Sequence, residues 1–312
     1  MERVSLVSVV LPCRNEEANV PRVVEVLRDL IRQEGLDYEF VVVDDGSDDG
    51  TWAVIKALAE SDGKVRGLRL TRSFGKEAAI AAGLDIVRGD AALVMDADLQ
   101  HPPTVVPEMI RRWSEGGVDI MEAVKSARGR EPILYAALSR LFYAVMNRLS
   151  GLDLAGSSDF KLLDARVVEA WRAFGERALF FRGLVSWMGF RRGRILFQVA
   201  ERASGSTTWS LTSLLGFALS GIAAFSSIPL QLITLFGVVF LALAGWLGVR
   251  ALIVKFSGLS IDGITIVILL NLIIGSFVMI SLGIIGQYLA QIYLEVKGRP
   301  RYLVRDRANL EP

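Results

Sequence analysis

Over the first hundred residues, short apolar runs alternate with stretches whose apolar positions recur at helical spacing. "VSLVSVVL" from Val4 reads as a strand. Val20, Val23, Val24, Leu27, Leu30 and Ile31 then share one helix face, and Gly35 marks its end. "YEFVVV" is a second strand, closed by the turn residues of "DDGSDDGT". Val54, Ile55, Leu58 and Ala59 give a second helix face, "VRGLRL" a third strand, "KEAAIAAGLDIV" a third helix and "AALVM" a fourth strand. Such alternation predicts an α/β fold with a mostly parallel sheet covered on both faces. Ligands of such sheets bind beyond the carboxyl ends of the strands. The unusual residues collect there: Arg14, Asn15 and Glu16 after the first strand, Asp44 and Asp45 after the second, Asp96 and Asp98 after the fourth.

The pattern changes after Trp209, where charges nearly vanish. Leu230 to Ile253 contains one charge, Arg250, and Ile264 to Ile285 contains none. About 20 apolar helical residues cross a ~30 Å hydrocarbon core, so both segments qualify as membrane spans. Lys297, Arg299, Arg301, Arg305 and Arg307 follow, which places the C-terminus and, after two crossings, the N-terminal domain in the cytoplasm. The predicted organisation is a catalytic domain over 1–209, an interfacial helix over 210–228, a two-helix hairpin over 229–288 (spans 230–253 and 264–285) and a basic tail over 289–312. Ile133 to Leu149 carries an apolar helical stripe that suits either a membrane interface or an ordinary packed helix. Net charge is +1, so no global field points to nucleic acid, and the lone Cys13 excludes an intrachain disulfide.

Candidate chemistry begins at "LVMDADLQHPP". In a strand, Asp96 and Asp98 point to one face. Two like charges so close raise each other's pKa unless a cation lies between them. A divalent metal with oxygen ligands is the simplest tenant; a polar strand end that begins a turn is the plain alternative. The other polar residues at neighbouring strand ends favour the metal. The first strand–helix turn lacks G-x-G-x-x-G and no G-x-x-x-x-G-K-[ST] occurs, which argues against a dinucleotide oxidoreductase and a P-loop NTPase.

The segments "LPCRNEEANV", "VVVDDGSDDGT", "SFGKEAAIAAGL", "MDADLQHPP", "SSDFKLLDARVV" and "FFRGLVSWMGF", in this order and ahead of an apolar hairpin, resemble the polyprenyl-phosphate glycosyltransferases of the inverting glycosyltransferase family 2. Undecaprenyl-phosphate glucosyltransferases and dolichyl-phosphate mannose synthases belong to that group. The resemblance implies an A-type, Rossmann-like nucleotide-diphospho-sugar transferase domain. It also implies a nucleotide-sugar donor, a divalent metal (Mg2+ or Mn2+) and a polyprenyl-phosphate acceptor. Pro12, Arg14, Asn15 and Glu16 would frame the nucleotide, with Asp44 or Asp45 on the base and Lys76 and Ala97 near the donor. Asp96 would meet the ribose or the metal, and Asp98 and Gln100 would hold the metal against the diphosphate. Asp159 matches the position proposed as the catalytic carboxylate. His101, the only histidine, reads as a bystander.

Two departures stand out. The family's Arg-x-x-Gly-x-Ser-Lys-aromatic run is "RASGSTTW" here, with Thr208 in place of the lysine, and its Asp-Phe-Arg is Asp159-Phe160-Lys161. The second keeps charge but loses the bidentate fork. The Gln-x-x-Arg-Trp of processive synthases is absent, which favours single transfer.

A nucleotide-sugar diphosphate carries about −2 and a lipid monophosphate about −1.5 to −2. At roughly 5 Å and an effective dielectric of ~20, two such groups repel by about 13 kcal/mol, so cations must hold the acceptor. Lys125, Arg128, Arg130, Lys161 and Arg202 are the candidates. The implied function is inverting transfer of one sugar, UDP-glucose being the best donor, to undecaprenyl phosphate at the inner membrane. The alternatives are a GDP-mannose enzyme of the dolichyl-phosphate type and a non-enzymatic, membrane-anchored scaffold. Ala244 and Gly248 form a small-x-x-x-small pair that would suit a homo-oligomer.

Overall fold

The structure, a computed structural model, describes residues 6–125, 158–176, 180–197 and 263–310, with scattered positions between 233 and 257. Eight strands form one sheet: β1 (Leu6–Cys13), β2 (Asp37–Asp44), β3 (Val65–Leu70), β4 (Ala91–Val94), β5 (Ile120–Lys125), β6 (Lys161–Asp164), β7 (Arg192–Phe197) and β8 (Val304–Ala308). Their order is β7-β5-β6-β4-β1-β2-β3-β8. β1 pairs in parallel with β2 and β4, and β2 with β3, whereas β6 runs antiparallel to β4 and β5. β1 and β4 are near-continuous apolar runs because helices cover both sheet faces, whereas β2 and β3 also carry charged residues, Asp37, Glu39, Arg66 and Arg69 among them. Val7, Val9, Val10 and Leu11 of β1 and Phe40 to Val43 of β2 have no exposed surface.

The helices of this unit are α1 (Val20–Gln33), α2 (Thr51–Ser61), α3 (Lys76–Ile86), α4 (Val106–Ser114), α5 (Ala165–Ala173) and α6 (Phe181–Trp187). The predicted stripe on α1 is buried at Val20, Val23, Val24, Leu27 and Ile31. α3 is different, being buried without interruption from Ala78 to Leu84. It lies so close to β1 that a Cβ on Gly83 would meet Val10 Cγ1 at 2.4 Å. In an exposed helix, Gly→Ala would stabilise by about 1 kcal/mol. Here the added methyl overpacks the core, and we expect Gly83→Ala to cost about 1–3 kcal/mol, read as a fall in the denaturation midpoint. An unchanged or raised midpoint would show that α3 can shift.

β1 leads outward through β2 to β3, while β4 lies on the other side of β1. The carboxyl ends of β1 and β4 therefore border the topological switch point, where a crevice opens. The chain after β4 departs from the expectation of a strand through Asp98. β4 stops at Val94, and Asp96 and Asp98 lie in the following turn. Leu99 in that turn has φ +58°, a left-handed conformation that a bulky side chain seldom adopts, while its side chain packs against the core. Apolar docking, not strand alternation, sets the direction of the two carboxylates.

The segment read as a basic tail contributes a strand. β8 pairs antiparallel with β3, and the Thr71 amide donates to the Leu303 carbonyl at 2.9 Å. Tyr302 donates its hydroxyl to Asp85 at 2.7 Å, and Arg301 donates to the carbonyls of Phe174 and Glu176. Charged Arg305, Asp306 and Arg307 lie along this sheet edge, which discourages further pairing. A chain cut after Ser227 would lose this strand as well as the apolar segments.

The second compact unit holds α7 (Gly263–Val296), 34 residues long. At 1.5 Å per residue it reaches about 51 Å. Ile273–Val296 is long and apolar enough to cross a membrane. Val267, Ile274, Met279, Leu282, Ile292 and Val296 are all exposed. The expected span 264–285 lies within α7. Of the expected span 230–253, the described positions, Ile233 and 235–240 among them, are helical. The interfacial segment 210–228, the stripe 133–149, Ala244 and Gly248 lie outside the described residues.

Candidate active site

Three loops build the crevice. In the β1–α1 loop, Asn15 adopts φ +57°, donates its amide to Ser47 Oγ (2.9 Å) and accepts the Asp48 amide on Oδ1 (3.0 Å). Asn15 thus latches this loop to the β2–α2 loop and does not line the crevice. Arg14 beside it donates to Ser73 Oγ at 3.2 Å. Asp45 accepts from Ser73 Oγ (2.8 Å) and from the amides of Phe74 (2.7 Å) and Gly75 (3.0 Å). It thereby folds the loop that launches α3. Gly75 caps α3 with φ +96°, which only glycine adopts readily.

The crevice has a volume of about 350 Å³ and is lined by Pro12, Arg14, Glu16, Asp45, Lys76 and Ala97, with Asp96 and Asp98 at its rim. That is within the range of small-molecule sites. Asp44 joins Asn15 as a correction among the expected nucleotide contacts. It is fully buried, accepts the Ser47 amide at 2.8 Å and faces Arg69 at 3.4 Å. Of the two adjacent aspartates, strand alternation turns Asp45 toward the crevice and Asp44 into the fold.

A charge cluster adjoins this crevice. Lys76 Nζ lies 2.6 Å from Asp96 and 2.6 Å from Asp159. Arg182 grips Asp159 through Nε (2.6 Å) and Nη2 (2.8 Å), a bidentate fork. Burial pushes the Asp159 carboxyl up, but Arg182 and Lys76 outweigh it and hold it well below the usual carboxylate range. Burial likewise pulls Lys76 down, and Asp159 and Asp96 overcome it, so the ammonium is reinforced. Arg182 sits in the quoted "FFRGLVSWMGF" yet received no role, because nothing local pairs it with a carboxylate 23 residues earlier. Glu77, next to Lys76, likewise carries no local sequence signal of its partner, the Phe181 amide.

Lys161 is a second correction. It was expected on the acceptor phosphate, but it is fully buried and its ammonium pairs with Glu122 across β5 and β6. A charge at that depth must be paired within the fold. Lys125 ends β5. Arg128, Arg130, Arg202 and Thr208 lie outside the described residues.

Among the described residues, no three histidine, cysteine or carboxylate side chains form a protein-only metal cage. Asp98 accepts the Gln100 amide at 3.0 Å, Gln100 itself is exposed, and Asp96 is engaged by Lys76. Burial raises the Glu16 carboxyl, and the negative charges of Asp98, Asp49 and Asp96 raise it further against the Asn19 hydrogen bond. A crevice with this surplus of carboxylate oxygen fits a hard ion such as Mg2+, which takes one or two carboxylates and completes its shell with water and substrate phosphate. His101 is buried, stacked on Phe160 at 5.2 Å and edge-on to Phe197, with Nδ1 3.9 Å from Asp96. Its ring is part of the packing behind the turn.

A polar crevice at the switch point between β1 and β4 defines a Rossmann-like α/β domain with a ligand site. The model of Glycosyl transferase family 2 matches residues 8–167, from β1 into α5. An uncharacterized glycosyltransferase of Synechocystis sp. is 36% identical, covering 97% of this chain and 96% of that protein. The prophage bactoprenol glucosyl transferase homolog of Escherichia coli is 34% identical over 96% and 98% of the two chains. The bactoprenol glucosyl transferase of Shigella phage SfX is 35% identical over 96% and 99%. Among solved structures, glucosyl-3-phosphoglycerate synthase from Mycobacterium tuberculosis with UDP gives a TM-score of 0.48 at 20% identity, covering 72% of this chain and 79% of that one. The chain belongs to glycosyl transferase family 2 and is a glycosyltransferase; the scaffold alternative gives way to an enzyme.

Proposed function

We propose that the protein transfers one sugar, with inversion, from a nucleotide sugar, UDP-glucose in the first instance, to undecaprenyl phosphate. The observation that carries this reading is the joining in one chain of a switch-point transferase crevice with an apolar helix exposed on all sides. Near-full-length similarity to bactoprenol glucosyl transferases supports the acceptor and the sugar. Pro12, Arg14, Glu16, Asp45 and Ala97 frame the nucleotide. Asp98, with Asp96 beside it, holds Mg2+ or Mn2+, which when bound neutralises diphosphate charge. Lys125, Arg128, Arg130 and Arg202 receive the acceptor phosphate. Asp159 orients Lys76 and Arg182, two cations beside the crevice, and takes no proton, since a phosphate acceptor is largely ionised at pH 7. In-line attack of the acceptor oxygen on the anomeric carbon, with departure of the nucleotide diphosphate, inverts that carbon.

The placement we propose is a two-span protein of the inner membrane with its transferase domain in the cytoplasm. Because β8 pairs with β3, the chain on either side of the apolar segments belongs to one side of the membrane. Any number of crossings between them must be even, so a crossing by α7 calls for a second one over 230–253. Cys13 is buried and gives a quiet background for thiol labelling. Ser260→Cys, in the segment between the two runs, is expected to react with an impermeant maleimide on intact cells. Reaction only after permeabilisation would remove the two-span placement. Activity is tested with purified protein, short polyprenyl phosphate and a panel of radiolabelled nucleotide sugars. Transfer from UDP-glucose above all others is expected, and no label in lipid from any donor would refute the reading.

A further inference from the structure

Glu77 follows Lys76 in the first turn of α3, and the proposed transfer leaves it without a task. Its Oε2 accepts the backbone amide of Phe181 at 2.7 Å. That amide opens α6, and the preceding residue, Phe180, supplies no side-chain cap. The first amides of a helix have no partner within it, so a carboxylate from another element is a fitting cap. The next residue on α6 is Arg182, whose fork holds Asp159. Lys76 holds the same Asp159 from the α3 side. Two neighbours on α3 and two neighbours on α6 therefore close a ring through one carboxylate.

This cap is costly where it stands. Burial, and after it the negative charge of Asp159, pushes the Glu77 carboxyl up to about 7. What the amide requires is the acceptor oxygen rather than the charge. α6 has seven residues, too few to hold its own orientation without such ties. Phe181 packs edge-on against Trp171 at 5.4 Å and is buried with Leu184 and Val185, which seats α6 on the core, while the Glu77 tie holds its first turn.

We propose that Glu77 is a positioning residue: by holding the first amide of α6 it keeps the Arg182 guanidinium on Asp159, and so keeps Lys76 shared between Asp159 and the crevice carboxylate Asp96. The inference rests on reading that cluster as part of the transfer site. It extends that reading to a residue that touches neither substrate nor metal.

The test uses the full-length protein with Glu77→Ala, Glu77→Gln, Arg182→Ala and the Glu77→Ala/Arg182→Ala double variant. Glu77→Met, similar in size but with no acceptor, repeats the alanine arm if alanine does not fold. Without any substrate, hydrogen exchange at the Phe181 amide should quicken about fivefold to tenfold in Glu77→Ala, the loss expected for a helix cap. In the transfer assay, kcat should fall about 10- to 100-fold with donor KM nearly unchanged, the cost of a slightly displaced site group. Glu77→Gln keeps an acceptor and should restore kcat to within about threefold. In the Arg182→Ala background, Glu77→Ala should cost less than about twofold more, because the two act as one unit. An equal penalty in both backgrounds, or unchanged exchange at Phe181, overturns the proposal. A wild-type protein that transfers no sugar refutes the proposed function alone, because the exchange arm needs no substrate.

Discussion

Asp98→Asn is expected to lower sugar transfer by about a thousandfold, because a bound cation supplies several kcal/mol of charge stabilisation and 1.36 kcal/mol is tenfold in rate. Lys76 already engages Asp96, while the described partner of Asp98 is the Gln100 amide. Asp98 is therefore the carboxylate with capacity to spare for a metal. Asparagine keeps the shape and an acceptor for that amide, so the thermal midpoint should stay within a degree or two. Chelation of the wild type should reproduce the loss and added Mg2+ or Mn2+ should reverse it. A variant with at least a third of the native rate, or full activity in metal-free buffer, would exclude this role. Glu16 provides a second readout. With Asp98 neutralised, one source of repulsion on its raised carboxyl disappears, so its titration should move to lower pH.

The second large effect is at Asp159. Asp159→Asn should leave slow transfer, down about 100- to 1,000-fold, with the acid limb of the pH–rate profile unmoved. The carboxyl's pKa is depressed in the fold. Its contribution to stability is therefore complete above the ordinary value of 3.8 and is lost only as pH falls through the folded value. Asp159 does not change charge between pH 5 and 9 and cannot produce a limb near neutrality. The acceptor phosphate, with a second pKa of about 6, can. Glu77, raised to about 7, also titrates in this range, but it accepts the Phe181 amide in either form and so shows in stability rather than in rate. Its sign is opposite: ionising it costs more in the folded protein, so stability falls as pH rises from 4.5 to about 7. A phosphonate acceptor should move the acceptor's limb to higher pH, and Glu77→Gln should flatten that fall in stability. Should the limb ignore the change of acceptor and vanish in Asp159→Asn, the carboxylate is the titrating base. The unfolding free energy of Asp159→Asn should drop by about 1–2 kcal/mol. The loss is modest for a buried ion pair because Lys76 and Arg182 keep 39% and 35% of their side chains exposed.

By itself the sequence determined the alternation of strands and helices from β1 to β4, the location of the polar crevice at the strand ends, and the apolar character of α7. Each follows from periodicity over a few residues, since burial of one helix face or of a whole strand is written locally. The motifs named the right loops, and Pro12, Arg14, Glu16, Asp45, Lys76, Ala97, Asp96 and Asp98 meet around one crevice. Only the tertiary structure decided which carboxylates and cations are free to act there. Asp44 is spent on Ser47 and Arg69, Lys161 on Glu122, and Asp159 on Lys76 and Arg182. Only it showed that the basic end of the chain returns to pair with β3. A side chain's charge is legible in the sequence, but its partner is not. Ion pairs and edge-strand pairing join residues tens to hundreds of positions apart, and desolvation lets each buried charge keep only the partner the packed fold brings within reach.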